Sequence, residues 1–150
     1  MSDFAVTDTL TSAPSGASEP DVAMPVVSDA DVVKVRQAVR ALAQQARLSL
    51  VDQTKFVTAA SELARNTLVY GGGGRVEAYV LSDGRRTGVR AAFIDHGPGI
   101  PDIGLAMTDG WTSGKGLGLG LSGSKRLVEN FLLDSTPGVG TRVEITSWSR

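Results

Sequence analysis

Glycine is the residue that most restricts how this chain can fold, because it is concentrated rather than spread. Nine of the 18 glycines lie between Gly97 and Gly123, and four more form the run Gly71 to Gly74. Glycine weakens helices and strands and permits turns and close backbone approach, so these stretches read as loops. The remaining blocks must supply the framework.

Those blocks carry clear periodicities. Met24 to Val27 is a short apolar run that reads as a first strand. Ser28, with Asp31 three residues later, resembles a capping box at the start of a helix. Val32, Val35, Val39, Leu42 and Ala46 then recur at helical spacing. A second helix is predicted from about Asp52 to Val69, with Phe56, Ala60, Leu63, Ala64 and Leu68 on its apolar side and its stop at Gly71. Arg75 to Leu81 and Val89 to Asp95 read as an antiparallel strand pair joined by a Ser82-Asp83-Gly84 turn and a basic tip. Gly97 to Gly116 has no sustained period and is expected to be a loop or lid. A third helix is expected from near Leu119 to about Phe131. Leu132 to Ser135 and Thr141 to Trp148 read as two more strands around Thr136 to Gly140. Helices and strands are mixed without regular alternation, which predicts an α+β two-layer sandwich rather than a doubly wound parallel sheet.

Residues 1–22 are rich in Ser, Thr, Ala, Pro and Asp with almost no periodic apolar positions, so a disordered tail is expected there and one domain over 23–150. That tail holds Asp3, Asp8, Glu19 and Asp21 and no Lys or Arg, which leaves the remainder only mildly basic, too weakly for a nucleic-acid footprint. Trp111, Trp148 and the two tyrosines are too scattered for a base-stacking platform. The chain has no cysteine, which excludes a disulfide framework and a thiolate zinc site. Without a leader-like N-terminus or a long apolar run, neither secretion nor membrane insertion is indicated, and the cytoplasm is the expected compartment.

Three constellations can carry chemistry. Glu62 and Asn66 stand four apart on the second helix, so they share a face and can serve one site. A carboxylate beside a carboxamide offers a proton acceptor and a neutral oxygen for Mg²⁺; the same pair also suits a plain solvated stripe. Asp95-His96-Gly97-Pro98-Gly99 leaves a strand, and its acid can accept from an exocyclic amine where glycines let the backbone pass a flat ring. An ordinary turn has that composition too, and His96 suits a loop position without function. Gly114 to Gly123, with Lys115, Gly116, Gly118 and Gly120, opens a helix and has the glycines, free N–H groups and cation of a phosphate site. It is not a Walker loop, because Asp109 and Gly116 stand where glycine and Ser/Thr are needed. Gly118-x-Gly120-x-x-Gly123 matches a dinucleotide fingerprint but follows a loop and lacks a βαβ frame, which leaves NAD binding as a weaker reading.

Taken in order, Glu62-Leu63-Ala64-Arg65-Asn66, Asp95-x-Gly97-x-Gly99, Gly116-x-Gly118-x-Gly120 and Gly138-x-Gly140-Thr141 resemble the N, G1 and G2 boxes and terminal Gly-Thr of the GHKL ATPase/kinase superfamily. Ser61 to Tyr70, Gly97 to Asp102 and Gly116 to Leu127 are similar, more narrowly, to RsbT-type serine kinases of bacterial partner-switching (stressosome) modules, over about residues 25–150. The resemblance implies a GHKL (Bergerat) ATP-binding fold with a mixed, mostly antiparallel sheet and helices on one face. It further implies Glu62 as general base, Asn66 as Mg²⁺ ligand and Asp95 as acceptor for the adenine amine. Gly97 and Gly99 would shape the adenine pocket, Gly116, Gly118 and Gly120 the triphosphate loop, and Thr141 would help hold the base. The implied cofactors are ATP and Mg²⁺, and the implied reaction is phosphorylation of Ser or Thr on a STAS-domain protein of the RsbS or RsbR kind. A PP2C-type phosphatase of the RsbU kind would be the second partner, bound and activated by released kinase. Histidine kinases of the superfamily phosphorylate a His on a helical dimerisation segment, which has no counterpart here. A non-catalytic nucleotide-binding adaptor and an anti-sigma factor kinase of the RsbW kind are the alternatives.

Overall fold

The computed structural model describes residues 19–108 and 120–150. In chain order its elements are β1 (Val22–Val26), α1 (Asp29–Gln45), α2 (Leu50–Val69), β2 (Gly74–Ser82), β3 (Thr87–Asp95), α3 (Ile103–Ala106), α4 (Gly120–Lys125), β4 (Asn130–Thr136) and β5 (Gly140–Trp148). The strands form one sheet in the order β1-β2-β3-β5-β4. Each pairing is antiparallel, so the sheet expected to be mixed has no parallel pair among the described residues.

Both long helices start on serine caps. Ser28 Oγ accepts from the Asp31 N–H at 3.2 Å, and the Asp31 carboxylate accepts from the Val27 N–H at 3.0 Å. The box therefore closes on the residue before the cap rather than on the cap itself. Ser49 does the same for α2 by accepting from the Asp52 N–H. The apolar stripes of the two helices then meet one face of the sheet. Val32, Val35 and Val39 of α1 and Phe56, Ala60 and Leu63 of α2 are buried with Val76, Ala78, Val89, Ala91, Phe93, Leu133, Val143 and Ile145. Burial of each large side chain among them contributes about 1.5–3 kcal/mol, so these stripes clamp helices to sheet. On the opposite face, Arg75–Glu77, Arg90–Glu144 and Arg142–Glu144 form ion pairs at 3.1, 3.6 and 2.9 Å.

Three expectations shift. The predicted third helix, to about Phe131, ends at Lys125, and β4 starts at Asn130. Phe131 and Leu133 fill the sheet opposite Ile145 and Val143, and this pairing draws the chain out of the helix before Asn130. The expected boundary at residue 22 falls inside the sheet, because the Asp21 N–H bonds to Ala78 O and its carboxylate accepts from the Val80 N–H at 2.7 Å. Residues 1–18 of the expected tail lie outside the described residues. Within the expected loop over 97–116, α3 forms behind the Asp102 cap, which accepts from the Leu105 N–H, and residues from 109 onward lie outside the description.

The register decides where a site can form. Asp95 ends β3 opposite Thr141 at the start of β5, and Thr141 in turn pairs with Ser135 near the end of β4. The glycine run returns the chain from the end of α2 to β2 beside this corner, with Gly74 paired to Asp95. One end of the sandwich thus gathers the end of α2, the end of β3 and the hairpin between β4 and β5.

Candidate functional site

At that corner lies a cavity of about 270 Å³ between α2 and the sheet. Its floor is apolar: Leu63 from α2, Phe93 from β3 and Val143 from β5. Asn66, Thr67 and Tyr70 line it from the last turns of α2, Asp95 and Thr141 from the sheet, and Pro98 to Pro101 from the loop after β3. Gly120 and Leu121 of α4 complete it. An apolar slot with a few converging polar groups is the usual form of a small-molecule site.

Asp95 is its most constrained polar group. It is 7% exposed, and burial pushes its carboxyl above the usual carboxylate range, against the lowering effect of the Gly97 and Thr141 N–H groups. The Gly97 N–H donates to Asp95 Oδ1 at 2.9 Å. Space for this carboxylate depends on Gly71, where a Cβ would stand 2.5 Å from Asp95 Cγ. At Gly97 a Cβ would meet the Gly71 carbonyl oxygen at 2.6 Å, so the two glycine segments touch backbone to backbone. Gly99 has φ +78°, and a Cβ there would stand 2.5 Å from Thr136 O. Only glycine satisfies both conditions, which seats the loop after β3 against the hairpin between β4 and β5. The Gly138 N–H reinforces that seat by donating to Pro98 O at 2.8 Å.

Of the residues singled out from the sequence, Asn66, Asp95, Gly99, Gly120 and Thr141 line the cavity, and Gly97 packs behind it. Glu62 is half-buried one turn before Asn66 on α2 and is not part of the lining. His96 is exposed at the end of β3 and also outside the lining. Lys115, Gly116 and Gly118 lie outside the described residues. Sequence reasoning missed three contributors: Thr67, buried with its hydroxyl donating to Leu63 O; Gly71, read as part of a generic loop; and Ser135, which bridges the loop to the sheet. Only Gly71 carried a signal, as the first glycine after a helix.

The donor set fits an adenine nucleotide. Asp95 supplies an acceptor for an amine and glycine contacts leave the backbone open beside the slot. Among the described residues no group of three His, Cys, Asp or Glu side chains can cage a metal. The Asn66 carboxamide, which lines the cavity, could offer Mg²⁺ one oxygen of the kind it takes when phosphates and water fill its other positions. No helix among the described residues is long and apolar enough to cross a membrane.

Comparison with known proteins gives two matches. The family model of histidine kinase-, DNA gyrase B- and HSP90-like ATPases matches residues 51–149. The chain is also 40% identical over 125 residues to the serine/threonine-protein kinase RsbT of Bacillus subtilis (strain 168), an alignment covering 83% of this chain and 94% of that one.

Proposed function

The chain belongs to the histidine kinase-, DNA gyrase B- and HSP90-like ATPases, as an RsbT-like serine/threonine kinase, and on that premise we propose that it phosphorylates a Ser or Thr of a STAS-domain antagonist. Released from that antagonist, it binds and activates a PP2C-type phosphatase, and both partners share the cytoplasm with it. The observation that carries the reading is the convergence of Asn66, Asp95 and Thr141 on one slot with an apolar floor. Asp95 and Thr141 hold the base. Asn66 would hold Mg²⁺, which would offset charge on the phosphates. Phosphoryl transfer depends mostly on positioning and charge neutralisation, and this chain's residues supply both. Glu62 stands one turn along α2 from Asn66, outside the slot, where the hydroxyl of a docked protein substrate can reach it. It takes the proton as the hydroxyl attacks the γ-phosphorus and the bond to the bridging oxygen of ADP breaks. Lys115, Gly116 and Gly118 are assigned to the triphosphate with Gly120.

Incubation with γ-labelled ATP, Mg²⁺ and the STAS proteins of its own source tests the whole reading. Label should appear on Ser or Thr of one of them; its absence from all of them would refute the substrate class. Two substitutions test the parts. Asn66→Ala should remove the Mg²⁺ dependence of ATP binding in calorimetry, and an unchanged Mg²⁺ response would count against the metal role. In Gly71→Ala the new methyl must push the Asp95 carboxylate from its place, so ATP affinity should fall about tenfold or more, the scale of one good hydrogen bond. Parental affinity in Gly71→Ala would mean that Asp95 does not contact the base.

A further inference from the structure

Behind the base-binding corner the structure contains a hydroxyl relay that the kinase reading does not use. Ser135 lies outside the cavity lining, yet its Oγ has three polar neighbours. The Ile100 N–H donates to it at 2.8 Å, Thr141 Oγ1 lies at 2.8 Å, and Ser135 Oγ donates to Gly140 O at 3.2 Å. A serine hydroxyl has one proton and two lone pairs. An amide N–H can only donate and a carbonyl oxygen can only accept, so two of the three partners have fixed polarity. The assignment that leaves a hydrogen in every contact has Ser135 giving its proton to Gly140 O and accepting from both Ile100 N–H and Thr141 O–H. If Ser135 donated to Thr141 instead, its oxygen would face the Gly140 carbonyl with no hydrogen between them.

This polarity has a consequence inside the cavity. Thr141 spends its single proton on Ser135, so toward the slot it offers lone pairs only. Asp95, when ionised, also offers acceptors only. We infer that Ser135 is a positioning residue for base selectivity: it holds the Thr141 hydroxyl as an acceptor, and the corner then favours a purine that presents an amine over one that presents a carbonyl. The same serine ties Ile100, in the loop that covers the slot, to this corner. The inference rests on the ATP-binding reading and adds to it a residue that no nucleotide touches.

Calorimetric titration of the full chain with ATP and with inosine triphosphate, whose ring carries an oxygen in place of the amine, provides the test. The parent should prefer ATP. In Ser135→Ala the Thr141 proton is released to turn toward the slot, so ATP should weaken about tenfold while inosine triphosphate changes by less than about twofold. Ser135→Thr keeps a hydroxyl at the same place and should keep the parental ratio within about twofold. Thr141→Val should lose the preference as well, and adding Ser135→Ala to it should change the ratio no further. Ser135→Cys, whose thiol is a weak hydrogen-bonding group, carries the test if Ser135→Ala folds poorly, and should shift the ratio in the same direction. Equal weakening of both nucleotides by Ser135→Ala would reduce Ser135 to a structural brace and overturn the inference while leaving ATP binding intact. A parent chain that binds neither nucleotide would overturn the ATP reading and this inference together.

Discussion

Asp95→Asn is expected to weaken ATP binding at least about a hundredfold and, at neutral pH, to leave the empty chain more stable than the parent. The binding loss has two sources. A charge-assisted hydrogen bond contributes about 1.5–3 kcal/mol, and its removal alone spans roughly one to two orders of magnitude. In addition, the Gly97 N–H holds the acceptor oxygen at this position, so the asparagine amide turns its NH₂ toward the base and sets donor against donor. The stability gain follows from burial, which lifts the Asp95 carboxyl above its unfolded value. Below the ordinary carboxylate range both states are protonated and the carboxyl costs the fold nothing. As pH rises from that range through the raised folded value, the unfolded chain ionises first and the parent loses stability; above it the loss is complete. Asparagine cannot ionise, so the difference in denaturation midpoint between variant and parent should be smallest in acid and level off near neutrality. Parallel midpoints at all pH values would mean that the carboxylate is not held at a cost. ATP affinity within tenfold of the parent would remove Asp95 from base recognition.

That trade between stability and binding was only half visible in the chain's order of residues. The apolar spacing of Val32, Val35 and Val39, and of Phe56, Ala60 and Leu63, located both long helices because one helical period governs each stripe. The pairing of Glu62 with Asn66 was equally local. Past Gly120 the reading overran, since Leu127, Val128 and Phe131 continue an apolar pattern that a helix and a strand can both use, and sheet partners at Ile145 and Val143 settled it. Ser135, and the contact that gives Gly71 its role, were illegible for a different reason. The first meets Ile100 across 35 positions and the second packs on Asp95 across the fold. No spacing rule encodes such contacts; they appear only once β3, β4 and β5 lie in register. Asn66, Asp95 and Thr141, which line the cavity, were therefore readable from type and spacing, while the residues that position them were not.

Glu62→Ala should leave ATP and Mg²⁺ binding within about twofold of the parent while slowing phosphoryl transfer by about 10²–10⁴, the usual contribution of a positioned base. The split follows from where α2 places the residue. Asn66 lines the slot and Glu62, one turn earlier, does not, so truncation at position 62 removes no group that lines the base pocket. The acceptor hydroxyl arrives on another protein and must approach from outside that slot, which is where a base belongs. Glu62 is half-buried and engaged with its surroundings, so Glu62→Gln is the companion that keeps its volume and hydrogen-bonding reach while losing the proton acceptor. Single-turnover transfer to the proposed STAS substrate, with nucleotide affinity measured in parallel, separates the two effects. Slow transfer in both variants with intact binding supports the base. Slow transfer in alanine but parental transfer in glutamine would make Glu62 a positioning residue, and parental transfer in both would leave the chain to act by docking rather than by catalysis at this residue.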